Sequence, residues 1–208
     1  MEAELVRLFL IRHGETSWNA ESRYISFTDL DLTERGGAQA LALSRRLAGE
    51  PISRVYSSPL RRARQTAKAI AEPHGLKVKV VQDLREVDFG FWEGLTYGEI
   101  RGRYGDLIDQ WSSDPASVAI PGGESWSEAI ERVGEVFRKI FRENPESGVA
   151  AVTHGGAIKC MISYILDTDR LSLWKIRQDS ASLTIVDLIE PNKGILSLLN
   201  DTCHLRDL

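Results

Sequence analysis

Short apolar runs of strand length alternate along this chain with longer segments whose apolar residues recur at helical spacing. That alternation leaves few architectures open. Residues 5–11 read as a buried strand, 33–47 as a helix, 55–57 as a short strand and 60–71 as a second helix. Strands follow at 78–81 and 149–152, separated by a long amphipathic helix at 124–141, and another helix spans 155–166. Residues 182–189 and 195–199 read as a closing hairpin around Pro191-Asn192-Lys193-Gly194. Strand–helix alternation predicts an α/β fold, a three-layer sandwich whose mainly parallel sheet is flanked by helices. The hairpin makes the sheet mixed. Residues 85–125 break the rhythm with Gly, Trp and Pro, and read as a cap-like insertion within a single domain covering 1–208.

The totals remove several function classes. A chain of 208 residues buries roughly 70% of its unfolded surface and folds without a disulfide or structural metal. Its formal net charge of −4 gives no electrostatic reason to coat nucleic acid. Any anion site must be a local cluster of cations. Two distant cysteines, Cys160 and Cys203, make neither a disulfide framework nor a zinc signature. Reduced thiols, and an acidic start (Met1-Glu2-Ala3-Glu4) followed by an apolar run too short for a signal peptide or membrane span, predict a cytoplasmic protein with no membrane partner.

In open α/β sheets ligands bind beyond the carboxyl ends of the strands. Here the first strand runs into Arg12-His13-Gly14, the second into Ser57-Ser58-Pro59 and then Arg61-Arg62, the third toward Glu86, and the fourth into Thr153-His154-Gly155-Gly156. If these strands are parallel neighbours, two imidazoles, at least two guanidiniums and a carboxylate converge on one edge. Such a pocket suits a phosphate dianion, because guanidinium forks match its oxygens. Gly155 and Gly156 open a helix directly after a strand, so bare N–H groups and the helix dipole can face an anion. No G-x-G-x-x-G or P-loop is present, so the expected partner is a small phosphorylated metabolite rather than a nucleotide. At about 100° per residue, Ala63, Ala67 and Ile70 face the core, Arg61, Arg64 and Lys68 face solvent, and Arg62 and Thr66 lie at the border. Arg62 is the one placed to reach a pocket.

These segments resemble the histidine phosphatase superfamily, the phosphoglycerate-mutase-like proteins. The matching residues are Arg12-His13-Gly14-Glu15-Thr16 with Asn19, Ser57 to Ala67, Leu84-Arg85-Glu86 with Trp92-Glu93-Gly94, Gly122-Gly123-Glu124-Ser125, and Thr153-His154-Gly155-Gly156, in the family's order and across nearly the whole chain. The resemblance implies a phosphoglycerate-mutase-like fold and a phosphohistidine intermediate on His13. It gives Arg12, Asn19, Arg62, Gly155 and His154 the task of holding phosphate oxygens and stabilising the transition state. Glu86 becomes the proton donor and then the base for water, and no metal or cofactor is needed. Arg12 should then lower the His13 pKa, while burial and substrate charge should raise that of Glu86. The same resemblance places Ser26, Trp92 and Tyr97 at the substrate pocket and makes a homodimer an expectation.

Plainer readings fit other residues. His204 is a tail histidine, Cys160 a core residue, Arg45-Arg46 a solvated helix face, and Trp18, Trp92, Trp111, Trp126 and Trp174 are packing residues. Asp88 and Glu93 lie near enough to compete with Glu86 for the acid's role. Mutases of the family carry a Lys where this chain has Tyr97, and two arginines where it has Ser112-Ser113. Losing those cations favours a phosphatase over a cofactor-dependent mutase. A non-catalytic phospholigand-binding scaffold would be expected to lack the nucleophile or the acid, and both are present. Ser26 replaces the family's usual Gly, where its side chain would either restrict backbone approach or add a hydroxyl to the pocket. Phe89 stands where phosphoserine phosphatases of the family would show His. The leaving group is therefore open among α-ribazole phosphate, phosphoserine, sugar phosphates and glucosyl-phosphoglycerate.

Overall fold

The computed structural model describes residues 5–115, 118–144, 148–167 and 175–208. Six strands form one sheet: β1 (Val6–Arg12), β2 (Ile52–Ser57), β3 (Val78–Val80), β4 (Gly148–Thr153), β5 (Leu183–Glu190) and β6 (Lys193–Asp201), in spatial order β3-β2-β4-β1-β5-β6. The β3–β2, β2–β4 and β4–β1 junctions are parallel, and β1–β5 and β5–β6 are antiparallel. This is the mixed α/β sandwich that the sequence predicts. The closing hairpin is tighter than its four-residue turn signal, because Glu190 already pairs with Lys193 and only Pro191 and Asn192 lie between the strands.

The central strands are largely apolar because helices cover both faces. On β1, Val6, Leu8 and Leu10 join the core beneath α6 (Trp126–Glu143) and α7 (Gly155–Leu166). Phe9 and Ile11 alternate to the opposite face, beneath α2 (Glu34–Leu47) and α3 (Arg61–Ala71). On β4, Val149 and Ala151 take the first face, Ala150 and Val152 the second. Each buried Leu, Ile or Phe contributes about 1.5–3 kcal/mol of transfer free energy, so the strand that ends in Arg12 is anchored from both sides. The long helix begins at Trp126, two residues later than its periodicity suggests. Ser125 and Glu128 cap one another there, and Glu124 is engaged by Arg132.

Within 85–125 the chain forms turns and two short helices, α4 (Tyr97–Tyr104) and α5 (Asp106–Ser113). They are preceded in the chain by one-turn α1 (Ser17–Ala20), after the first strand. Trp92, Trp111 and Trp126 pack edge to face and stacked, with Tyr24 and Phe89 against them. Those tryptophans are packing residues, as the sequence predicts; Trp174 lies outside the described residues. Cys160 is buried core. No helix among the described residues is long and apolar enough to cross a membrane.

Candidate active site

Parallel pairing in register brings the polar strand ends together. Arg12 pairs with Thr153, and Ser57 pairs with Val152 on the same edge. His13 follows, fixed on both sides: its N–H donates to Thr153 O at 3.0 Å, and its carbonyl accepts from Ala181 N at 3.0 Å. The ring is also constrained. Nδ1 lies 2.7 Å from the carbonyl of Gly14, and Arg62 Nε approaches Nε2 at 3.2 Å. A carbonyl only accepts and a guanidinium only donates. Both contacts therefore select the neutral tautomer with its proton on Nδ1 and a lone pair on Nε2. The loop beneath is close-packed: a Cβ on Gly14 would meet Gly36 O at 2.5 Å. Thr66 supports it from α3 by accepting from Gly14 N at 3.1 Å.

Arg62 is fully buried. Beyond His13, it donates to the carbonyls of Ser26 at 2.7 Å and Thr28 at 2.8 Å. Burial pushes its pKa down to about 10, which leaves it charged at neutral pH. The border position on the helix wheel thus turns inward, and Thr66 with it, while Arg61, Arg64 and Lys68 are exposed. The His154 ring stands edge-on to His13 with centroids 5.1 Å apart, and its Nε2 is 2.7 Å from Ser58 Oγ. Both imidazoles are held well below the ordinary histidine pKa, first by burial and then by Arg62. Arg12, which the sequence singles out as the cause for His13, ranks third.

Beside these buried groups opens a cleft of about 210 Å³, bordered by Arg12, Asn19, Glu86 and Gly155, all expected at the site. Arg12 donates to Gln178 O at 2.6 Å. Asn19 accepts from Thr16 N at 3.0 Å through its side-chain oxygen, which leaves its amide N–H groups for a ligand. Glu86 is 6% exposed and its carboxylate accepts from Val87 N and Ala157 N at 2.9 Å and from Gly156 N at 3.1 Å. A Cβ on Gly156 would lie 2.5 Å from that carboxylate, so the second glycine makes room for Glu86. The competing carboxylates are spent on loops: Asp88 accepts from Gly90 N, and Glu93 from Ser26 N and Thr28 N.

The three residues expected at the substrate pocket do not border this cleft. Trp92 is fully buried in the aromatic stack. Tyr97 is 42% exposed, with its hydroxyl on Asp109 at 2.6 Å and against Ser112. Ser26 is buried, and its Oγ accepts from Phe89 N at 2.8 Å, tying the segment that holds Phe89 to the loop that receives Arg62. The hydroxyl is consumed as a fastening rather than presented to a ligand. A larger groove of about 630 Å³ lies by Tyr164, Leu166 and the β5–β6 turn, and none of the expected site residues lines it.

Several contributors went unread in the sequence. Ser58 orients His154. Arg132 forms a bidentate pair with Glu124 and donates to the carbonyls of Asp83 and Arg85, bracing the segment that presents Glu86. Lys159 and Gln178 border the cleft. Lys159 follows Gly155 by four residues, one helical turn, and this spacing was the available signal. Gln178 had none.

The sequence pattern of the histidine phosphatase superfamily (branch 1) matches residues 8–202. Phosphoserine phosphatase 1 of Hydrogenobacter thermophilus is 33% identical over 201 residues, covering 97% of this chain and 95% of that one. Among solved structures, a mycobacterial glucosyl-3-phosphoglycerate phosphatase superposes with a TM-score of 0.88 at 29% identity, covering 95% of this chain and 100% of the other. A phosphoserine phosphatase mutant from Entamoeba histolytica, solved with phosphoserine, gives 0.85 at 28% identity over 96% and 99% of the two chains. These relatives favour phosphoric monoester hydrolysis over the mutase reaction. The chain belongs to the histidine phosphatase superfamily, branch 1.

Proposed function

We propose that this protein hydrolyses small phosphomonoesters through a phosphohistidine on His13. The observation that supports this most is the fixed tautomer: Nε2 holds an unprotonated lone pair among buried cations. A phosphate dianion exchanges places with that nitrogen as Arg62's partner, and Arg12, Asn19 and the Gly155 N–H share its oxygens. In the first step the Nε2–P bond forms as the bond from phosphorus to the leaving oxygen breaks. Glu86 gives its proton to that oxygen. In the second step Glu86 takes a proton from water, the new O–P bond forms, the N–P bond breaks and inorganic phosphate departs. Arg12, Arg62 and His154 stabilise the charge spread over the equatorial oxygens. The neutral pair Tyr97 and Ser112, where mutases carry cations, supports water as the acceptor. Free thiols at Cys160 and Cys203 fit a cytoplasmic setting.

The test is rapid acid and base quenching with a phosphomonoester labelled in its phosphoryl group, with chelator present. The expected result is a label on His13 that survives base but not acid, absent in His13→Ala, together with phosphate release. Turnover without such a label overturns the mechanism, and isomerisation without release overturns the phosphatase.

A further inference from the structure

Away from the cleft, one group of side chains among the described residues brings together atoms of the kinds that ligate metals. A carboxylate oxygen of Asp201, the thiol of Cys203 and a ring nitrogen of His204 all lie within 4.8 Å of one another. None of the three borders the cleft at Glu86. Asp201 closes β6, where it pairs with Leu183 of β5, and the other two stand on the one-turn helix that follows, Cys203–Leu205. The turn is held in place. The Asp201 carboxylate accepts from Cys203 N at 3.0 Å and from the Cys203 thiol at 3.2 Å. Leu205 packs against the core beneath α2 and α3. His204 carries the decisive detail. Its Nε2 lies 2.9 Å from the carbonyl of Ala181, so Nε2 bears the proton and Nδ1 the lone pair. Nδ1 is buried with no hydrogen-bond partner, a costly state for an acceptor. A backbone carbonyl that takes the far N–H is also what orients a ligating imidazole.

We propose that Asp201, Cys203 and His204 Nδ1 hold a Zn²⁺ ion, which fastens the turn after β6 to the sheet. The donors choose the metal. Mg²⁺ and Ca²⁺ take oxygen ligands, whereas a thiolate and an imidazole suit a borderline-soft ion. Three protein ligands leave the fourth tetrahedral position to water. On binding, the S–H bond of Cys203 breaks, its proton passes to solvent and a sulfur–zinc bond takes its place. Thiolate and carboxylate then balance the two charges of the ion. Arg46, within electrostatic reach, is paired with Glu50. The role is structural: Ala181, whose carbonyl holds His204, donates its own N–H to the His13 carbonyl, so the fastened turn braces the backbone beside His13. This site goes beyond the phosphatase reading and does not depend on it.

The experiment titrates Co²⁺, a spectroscopic stand-in for Zn²⁺, into chelator-treated protein kept reduced by a phosphine. One equivalent should bind with a sulfur-to-cobalt charge-transfer band, and Zn²⁺ should displace it. Cys203→Ser, which keeps a donor to Asp201, should remove the band and weaken Zn²⁺ binding by about tenfold or more. Asp201→Asn should weaken binding and keep the band. His13→Ala, which breaks up the other pair of imidazoles, should change neither. In the wild type, Zn²⁺ should slow alkylation of the exposed Cys203 thiol. At about a hundredfold excess over its dissociation constant it should raise the melting temperature by about 5 °C or more, and far less in Cys203→Ser. Melts of the metal-free variants confirm that each is folded. Absence of a sulfur band in the wild type, a band that survives Cys203→Ser, or a band lost in His13→Ala overturns the site. A bound ion with no gain in melting temperature overturns the fastening. Every one of these outcomes leaves the phosphohistidine test untouched.

Discussion

Arg62 Nε lies 3.2 Å from His13 Nε2, and this contact joins two buried polar side chains of the site. The same guanidinium carries the carbonyls of Ser26 and Thr28. Arg62→Lys keeps the charge and loses the fork. The expected outcome is a fall in kcat/KM of about 100-fold or more, the scale of losing a preorganised donor to a developing oxyanion. Stability should fall by about 2 kcal/mol as buried carbonyls lose their partners. Phosphate-release kinetics and urea denaturation measure the two losses separately.

Acid should weaken the fold earlier than it silences the nucleophile. His13 and His154 are both held well below the usual value, mainly by burial. The unfolded chain therefore takes up these protons near pH 6.5 while the folded chain still refuses them. Their contribution to stability is complete above pH 6.5 and is lost as pH drops below it, by up to about 1.4 kcal/mol per pH unit for each ring. Denaturation midpoints measured from pH 7.5 to 5 should fall accordingly. The acid limb of kcat/KM should lie below 6.5, and a limb centred there would contradict a pre-formed neutral imidazole.

Neighbouring glycines in α2 should respond in opposite directions. A Cβ on Gly36 would sit 2.1 Å from Glu15 O, in the loop that follows His13, whereas one on Gly37 meets nothing within 4 Å. Gly37→Ala should stabilise the protein by about 0.5–1 kcal/mol through backbone entropy and raise the melting temperature by a few degrees. Gly36→Ala forces backbone apart and should abolish activity and lower the melting temperature sharply. Circular dichroism melts with a parallel activity assay test the contrast.

Arg132 should matter to proton delivery although it stands behind Glu86. Its pair with Glu124 is nearly buried, at 9% and 13% side-chain exposure, and it also grips the carbonyls of Asp83 and Arg85. Arg132→Met strands a buried carboxylate at a cost of about 3 kcal/mol. Its kinetic signature should be selective: kcat should fall about tenfold for alkyl phosphates, whose leaving oxygen needs a proton, and much less for p-nitrophenyl phosphate. A uniform loss on both substrates would reduce Arg132 to a structural residue.

How much of this was legible in the sequence follows from the range of each interaction. The strands ending in Arg12 and Thr153 declared themselves because a strand covered on both faces is apolar at nearly every position, and burial of β1 and β4 on two cores is that pattern realised. Arg62 could be chosen over Arg61 because helical phase is a local property. The pocket positions were another matter. Tyr97 and Trp92 lie in a segment whose course is set by aromatic packing among Tyr24, Trp111 and Trp126, distant in the chain, and no periodicity encodes that course. Ser26, expected either to restrict backbone approach or to add a hydroxyl to the pocket, takes as its partner the backbone of Phe89, 63 positions away. Arg12 does lower the His13 pKa as adjacency predicts, but burial and Arg62 act more strongly. Arg12 is next in sequence, but side chains on a strand alternate in direction, and the more distant Arg62 is the one that reaches the ring.

The backbone of His13 is pinned between Thr153 and Ala181, at the seam where the sheet changes from parallel to antiparallel. A residue stitched to both neighbours has no freedom to carry cargo elsewhere. On the proposed mechanism a phosphorylated ring would stay where it is, so its discharge would depend on water entering the cleft by Tyr24 and Phe89.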